Sequence, residues 1–180
     1  FQNEVEIIFT INLFLKFIGM KSMKYNIKYI TNDYKETQKL GADFGKKILK
    51  NTAKMNGAFV VGLWGDLGSG KTTFLQGFAK GIGIKEKILS PTFVILKHFK
   101  ITKSQITNSK LQTNSKFTDF YHIDCYRLES PEEIMGLGWR EIILNPKNIV
   151  AIEWPEKIES VLPKDIFKIN YKFIDENKRE

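Results

Sequence analysis

The chain has 180 residues, 42% hydrophobic and 27% charged, with 28 Lys and Arg against 20 Asp and Glu and a formal net charge of +8. These values suit one soluble domain that buries a core without covalent staples. The single cysteine, Cys125, excludes an intramolecular disulfide framework and a cysteine-based zinc cluster, and points to a reducing, cytoplasmic setting. The positive charge has two readings, an acidic or nucleic-acid partner and a lysine-rich surface that serves solubility. Lacking a dense Lys/Arg block with interleaved aromatics, the chain favours the second.

Val5 to Met20, VEIIFTINLFLKFIGM, is strongly apolar, but Asn12 and Lys16 interrupt it and it is too short for a membrane span of about 20 apolar residues. Glu4 and Glu6 stand where a signal peptide carries basic residues, and no small-residue cleavage site follows. Residues 1–22 therefore read as an extension outside the domain, non-native or mis-called. The alternative is an amphipathic helix that touches a membrane. Tyr25 to Ile30 alternates as a first strand, Thr31 to Glu36 offers helix-start residues, and Thr37 to Lys50 carries Leu40, Phe44, Ile48 and Leu49 on one helical face.

Ala58 to Trp64, AFVVGLW, is the apolar, β-branched run of a buried parallel strand. Gly65 to Thr72, GDLGSGKT, fits G-x-x-x-x-G-K-[ST], and the helix after it has a stripe of Phe74, Leu75, Phe78 and Ala79. Strand, glycine loop and helix together are the context a phosphate-binding loop requires, which weighs against a chance match. Gly65, Gly68 and Gly70 let consecutive N–H groups of Asp66, Leu67, Gly68, Ser69, Gly70 and their neighbours turn toward phosphate oxygens at a helix N-terminus. Lys71 is the expected cation for the β- and γ-phosphates, Thr72 the hydroxyl ligand for Mg²⁺, and Thr73 the next residue of the cradle.

Ser90-Pro91-Thr92 introduces a strand from Phe93 to Phe99. Residues 100–116, KITKSQITNSKLQTNSK, form a polar loop insertion. Phe117 to Ile123 returns to strand and ends at Asp124. Pro131 opens a helix with Glu132 and Glu133 in its first turn, Asn148 to Ile152 is a buried strand ending at Glu153, and Ile166 to Phe173 is the last strand. A charged tail occupies 175–180. The order implies a three-layer α/β domain over residues 23–174 with a mainly parallel central sheet.

A triphosphate site needs a carboxylate at the carboxyl end of a neighbouring strand. Asp124 and Glu153 both qualify, and either alone could be a strand-end cap with no metal role. On a strand, His122, Asp124 and Tyr126 share one face, with Arg127 beside them. His122 alone is more often a hydrogen-bonded core residue, Arg127 alone a surface cation, and Trp154 is ambiguous between packing and contact with a base or partner.

GDLGSGKTTF, SPTF at Ser90 to Phe93, HIDCYRL at His122 to Leu128 and IEWPEK at Ile152 to Lys157 follow the order and approximate spacing of the TsaE (YjeE) family, which the chain resembles over about residues 30–173. The resemblance implies a P-loop NTPase fold and an ATPase, weak alone, required for threonylcarbamoyladenosine formation in tRNA. It implies ATP and Mg²⁺ as cofactors, Thr72 and Glu153 as metal contacts, Lys71, Asp124 and Glu153 as catalytic residues, and Ser90-Pro91-Thr92 as a switch-like segment. His122, Tyr126, Arg127 and Trp154 are candidates for coupling to partners. Those implied partners are TsaB and TsaD, with tRNA reached indirectly through the complex and no membrane involved. The insertion at 100–116 and the first 22 residues depart from the family pattern.

Three other functions compete. A small-molecule kinase shares the loop but usually carries an arginine-rich lid, and the insertion has lysines without arginine. A GTPase wants N-K-x-D, whereas Asn177-Lys178 is followed by Arg179-Glu180. An RNA-binding module explains the charge but not the phosphate loop.

Overall fold

Alternating and helical hydrophobic patterns become a seven-stranded sheet flanked by helices in the computed structural model, which describes residues 5–11, 25–50, 55–91, 94–101 and 115–173. The elements in chain order are β1 (Val5–Ile11), β2 (Tyr25–Thr31), α1 (Tyr34–Leu49), β3 (Phe59–Trp64), α2 (Lys71–Gly81), β4 (Leu96–Lys100) and β5 (Asp119–Asp124). They continue with α3 (Pro131–Met135), α4 (Trp139–Leu144), β6 (Asn148–Glu153), a 3₁₀ helix (Pro155–Val161) and β7 (Phe167–Phe173). The strand order is β2-β1-β7-β3-β6-β5-β4. Only the centre is parallel, where β7, β3, β6 and β5 lie side by side; β1 and β2 at one edge and β4 at the other run antiparallel to their neighbours. The sheet is therefore mixed rather than mainly parallel throughout.

Opposite faces of each strand feed opposite layers, because successive side chains alternate. Phe59, Val61, Leu63, Ile149, Ala151 and Phe120 pack with Phe74, Leu75 and Phe78 of α2 and Ile48 and Leu49 of α1. Val60, Val150, Ile152 and Ile123 pack on the other face with Ile134, Trp139, Ile142 and Ile158. Asp33 caps α1, accepting from the Glu36 N–H at 2.7 Å, so the helix starts three residues before the hydrophobic stripe indicates. The short α4 had no clear sequence signal; Trp139 holds it down, 1% exposed, with its indole N–H donating to the Val161 carbonyl at 3.1 Å.

Two glycines on each helix bring α1 and α2 into backbone contact. A Cβ on Gly41 would lie 2.2 Å from the Phe74 carbonyl oxygen, and one on Gly77 would lie 1.9 Å from that of Gln38. Gly45 and Gly81, one turn further along, face Phe78 and Ala42 in the same way. This contact sets the position of α2, and so of the loop that precedes it.

The expectation that residues 1–22 stand outside the domain is corrected for Val5–Ile11. This segment pairs antiparallel with β2 on one side and β7 on the other, and Ile7 is fully buried in the core. Its apolar, β-branched composition is that of an interior strand, which a search for membrane or signal features does not test. The polar insertion is also narrower than expected, because Lys100 ends β4 and Ile101 is buried. Residues 102–114 and the tail at 175–180 lie outside the described residues, as do Thr92 and Phe93. Among the described residues, no helix is long and apolar enough to cross a membrane.

Candidate functional site

The strand–loop–helix unit forms as its pattern requires. β3 ends at Trp64, the loop turns through positive φ at Gly65 (136°), Gly68 (78°) and Gly70 (91°), and α2 starts at Lys71. No side chain caps that helix, so its first N–H groups point into a cleft of about 340 Å³. The cleft is lined by loop residues 67–73 together with Ser90, Asp124, Tyr126, Glu153 and Trp154. Of the expected cradle, Leu67, Gly68, Ser69, Gly70, Lys71, Thr72 and Thr73 all line it. Asp66 contributes a backbone carbonyl instead.

Lys71 is 4% exposed, and its ammonium donates to the carbonyls of Gly65 (2.5 Å) and Asp66 (2.7 Å) and to Ser69 Oγ (3.4 Å). The Trp154 ring covers it, with Nζ 4.1 Å from the ring centroid. Burial pulls the Lys71 ionisation below the ordinary lysine value, although Glu153, Glu156, Asp124 and Asp66 oppose it. The cleft therefore holds a desolvated cation whose partners are mostly neutral oxygens, which suits it to receive an anion.

Parallel register brings the two strand-end carboxylates together. Asp124 is the Cα partner of Glu153, as His122 is of Ala151. Glu153 is 3% exposed and faces α2, where the Thr72 hydroxyl lies 3.0 Å from Oε1 and 2.8 Å from Oε2. His122, fully buried, places Nε2 2.8 Å from Oε1 of the same carboxylate. Asp124 accepts a short hydrogen bond from Ser90 Oγ through Oδ2 and one from the Tyr126 N–H through Oδ1 at 2.9 Å. The two carboxylates thus have different partners, one held by the loop helix and the other by the segment before β4.

A hydroxyl and a carboxylate facing each other at the helix N-terminus fit the usual protein share of a Mg²⁺ site, in which phosphates and water supply the remaining ligands. Among the described residues there is no cluster of three or more His, Cys, Asp or Glu that could hold a metal by itself. Thr72 and Glu153 are the pair in this cleft that could hold such an ion.

The remaining candidates divide. β5 ends at Asp124, so Tyr126 is no longer on the strand; it turns back to line the cleft, with its ring 5.0 Å from that of Trp154. Trp154 adopts a left-handed conformation (φ 58°) that directs its ring over the loop. His122 touches Glu153 but does not line the cleft. Arg127 is exposed and also outside the lining. Pro91 is buried and its carbonyl accepts from the Val94 and Ile95 N–H groups, while Thr92 lies outside the described residues.

Two residues unmarked in the sequence also act here. Glu156 favours the charged form of Lys71 from the 3₁₀ helix. Tyr171 is buried, with its hydroxyl lacking a hydrogen-bond partner among the described residues, and burial together with the Glu153 charge pushes its ionisation well above the ordinary range. Tyr171 also packs its Cβ where a Gly65 side chain would go. Strand alternation alone could have found Tyr171 as a core position, but not as a neighbour of the loop.

A sequence model of the family "Threonylcarbamoyl adenosine biosynthesis protein TsaE" matches residues 31–180. The tRNA threonylcarbamoyladenosine biosynthesis protein TsaE of Rickettsia felis is 39% identical over 151 residues, covering 83% of this chain and 75% of the relative. The protein of the same name from Haemophilus influenzae is 35% identical over 135 residues, covering 74% and 76%. The crystal structure of YdiB from Bacillus subtilis superposes with a TM-score of 0.54 at 25% identity, covering 83% of this chain and 78% of that one. β1 and most of β2 precede the family match.

Proposed function

Since the chain belongs to the TsaE family, we propose that it is a Mg²⁺-dependent ATPase serving the threonylcarbamoyl modification of adenosine in tRNA. The observation that carries the reading is the convergence of Lys71, Thr72, Glu153 and Asp124 on one cleft at the carboxyl ends of β3, β5 and β6. Lys71 and the loop N–H groups would bind the triphosphate and stabilise charge on the transferred phosphoryl group. Thr72 and Glu153 would hold Mg²⁺, which would supply charge neutralisation at the bound phosphates. Asp124 would orient the attacking water.

The contacts of Asp124 favour slow hydrolysis by the isolated chain. Ser90 and the Tyr126 N–H each take one acceptor position on its two oxygens and fix the carboxylate's direction, so how it presents a water depends on where Ser90 stands. Ser90 lies in the switch-like segment, and an external surface that reorders this segment would raise turnover. The partners in this reading are TsaB and TsaD, with tRNA reached through their complex, in the cytoplasm and away from membranes. Tyr126, Trp154 and Arg127 are the coupling residues.

Calorimetric titration with Mg·ATP alongside phosphate release tests the assignment. Glu153→Ala is expected to weaken Mg²⁺-dependent binding, and Asp124→Ala to bind nucleotide nearly as well but hydrolyse slowly. Equal binding loss in both variants sinks the division of roles. Adding the TsaB–TsaD pair is expected to stimulate phosphate release, and no stimulation removes the partner assignment.

A further inference from the structure

His122 lies on β5 between β4 and β6, fully buried, and does not line the cleft. Its Nε2 is 2.8 Å from Glu153 Oε1, while its Nδ1 has no hydrogen-bond partner among the described residues. These two facts fix the ring's role. A hydrogen on Nδ1 alone would leave a buried donor without an acceptor and set the Nε2 lone pair against a carboxylate oxygen. Nε2 must therefore carry an N–H and donate it to Glu153.

Glu153 has two donors in this state, His122 and the Thr72 hydroxyl. The hydroxyl has a single hydrogen to donate, while its two lone pairs remain available to a cation. Thr72 can therefore face a cation and Glu153 at once, but its rotatable O–H supplies only one donor to a carboxylate that has two oxygens. The His122 N–H supplies a second donor, from a residue paired on both sides within the sheet. We propose that His122 is the positioning residue of Glu153: its Nε2–H holds the carboxylate in the orientation that receives Mg²⁺ beside Thr72. The inference rests on the reading of Thr72 and Glu153 as the magnesium contacts. Because His122 does not itself line the cleft and reaches it through Glu153, its effect is confined to the metal-dependent part of nucleotide binding.

The test follows thermal stabilisation by ATP as Mg²⁺ is titrated, with an EDTA control. His122→Leu, which fills the space without a donor, is expected to raise the half-maximal Mg²⁺ concentration about tenfold, the scale on which losing a partner of a metal ligand acts. Its metal-free nucleotide binding is expected to match the unmodified chain. His122→Gln, which returns an N–H near the Nε2 position, is expected to recover most of the loss. An unchanged Mg²⁺ midpoint in a folded His122→Leu overturns the proposal, as does equal loss of metal-free binding or a Gln variant no better than Leu.

The hydrogen on the ring decides the case if the Leu variant does not fold. Long-range ¹⁵N–¹H spectra of the unmodified, nucleotide-free chain contain only two histidines, His98 and His122. His122 is expected to carry its hydrogen on Nε2, and a bare Nε2 overturns the proposal. Failure of the unmodified chain to show any Mg²⁺-dependent stabilisation by ATP counts against the proposed function instead, and the ring measurement still tests the His122 contact.

Discussion

Lys71 lies beneath the Trp154 ring with its ammonium on two loop carbonyls, so on the proposed function a bound phosphate would take over those hydrogen bonds and disturb the indole. Trp139 is buried in the opposite layer, and Trp64 packs under Lys168 at 5.0 Å. Nucleotide is therefore expected to change intrinsic fluorescence mainly through Trp154, and Trp154→Phe to abolish most of the change. A full change in that variant places the ligand elsewhere. At the other end of β5, burial pushes the Asp119 carboxyl up, but hydrogen bonds from Lys100, Thr118 and His98 and the Lys100 charge outweigh it and hold the value at about 2, against an ordinary 3.8. A depressed carboxylate adds stability that is present above its unfolded value and lost as pH falls through 3.8 toward 2. The contribution is about 1–2 kcal/mol once solvent screening is allowed for. Urea unfolding of the unmodified chain and Asp119→Asn is expected to show that gap at pH 6 and a clearly smaller one at pH 3.

α1 and α2 are locked through glycines rather than through interleaved side chains. Gly77→Ala gains about 1 kcal/mol of helix propensity. The new Cβ, however, meets the Gln38 carbonyl oxygen at 1.9 Å, and backbone cannot rotate away as a side chain does. Overpacking costs of about 1–3 kcal/mol apply at their upper end, so the clash wins. The urea midpoint is expected to fall, and nucleotide affinity with it, because α2 carries Lys71 and Thr72 on its first turn. A stabilised Gly77→Ala contradicts this packing. At the far edge of the sheet, β1 separates β2 from β7 and buries Ile7 completely. Ile7→Ala is expected to lower stability by about 2–4 kcal/mol, as deletion of a buried isoleucine does. A change below about 0.5 kcal/mol, the range of surface substitutions, would remove β1 from the core.

On the proposed function, nucleotide binding and global stability are linked across the whole molecule, because a ligand held by β3, α2, β5 and β6 would bind only the folded chain. At about 100 times its dissociation constant, Mg·ATP is expected to add roughly 2.7 kcal/mol. For a chain of 180 residues this is a rise of about 5–10 °C in the melting temperature. Lys71→Ala is expected to lose most of the rise while the ligand-free melting temperature stays close to that of the unmodified chain. The variant removes loop hydrogen bonds but also relieves the burial of a charge, and the two effects oppose each other.

Contiguous features are legible in the sequence alone. β3, the loop and α2 occupy one unbroken stretch, so hydrophobic period and glycine placement define them locally, and Lys71 and Thr72 follow from the motif. The strand-end positions of Asp124 and Glu153 are legible for the same reason, since each closes an apolar run. Their partners are not. Thr72 meets Glu153 from 81 residues away, Ser90 meets Asp124 from 34, and His122 meets Glu153 from 31. Strand order and parallel register set those separations, and neither is written in local periodicity. Tyr126 shows the boundary, because alternation puts it on the face of Asp124 whereas the chain leaves the strand before reaching it. β1 shows it more strongly. Hydropathy marks Val5–Ile11 as apolar whatever its surroundings, but only the sheet, with β7 on one side and β2 on the other, makes that apolar run an interior strand.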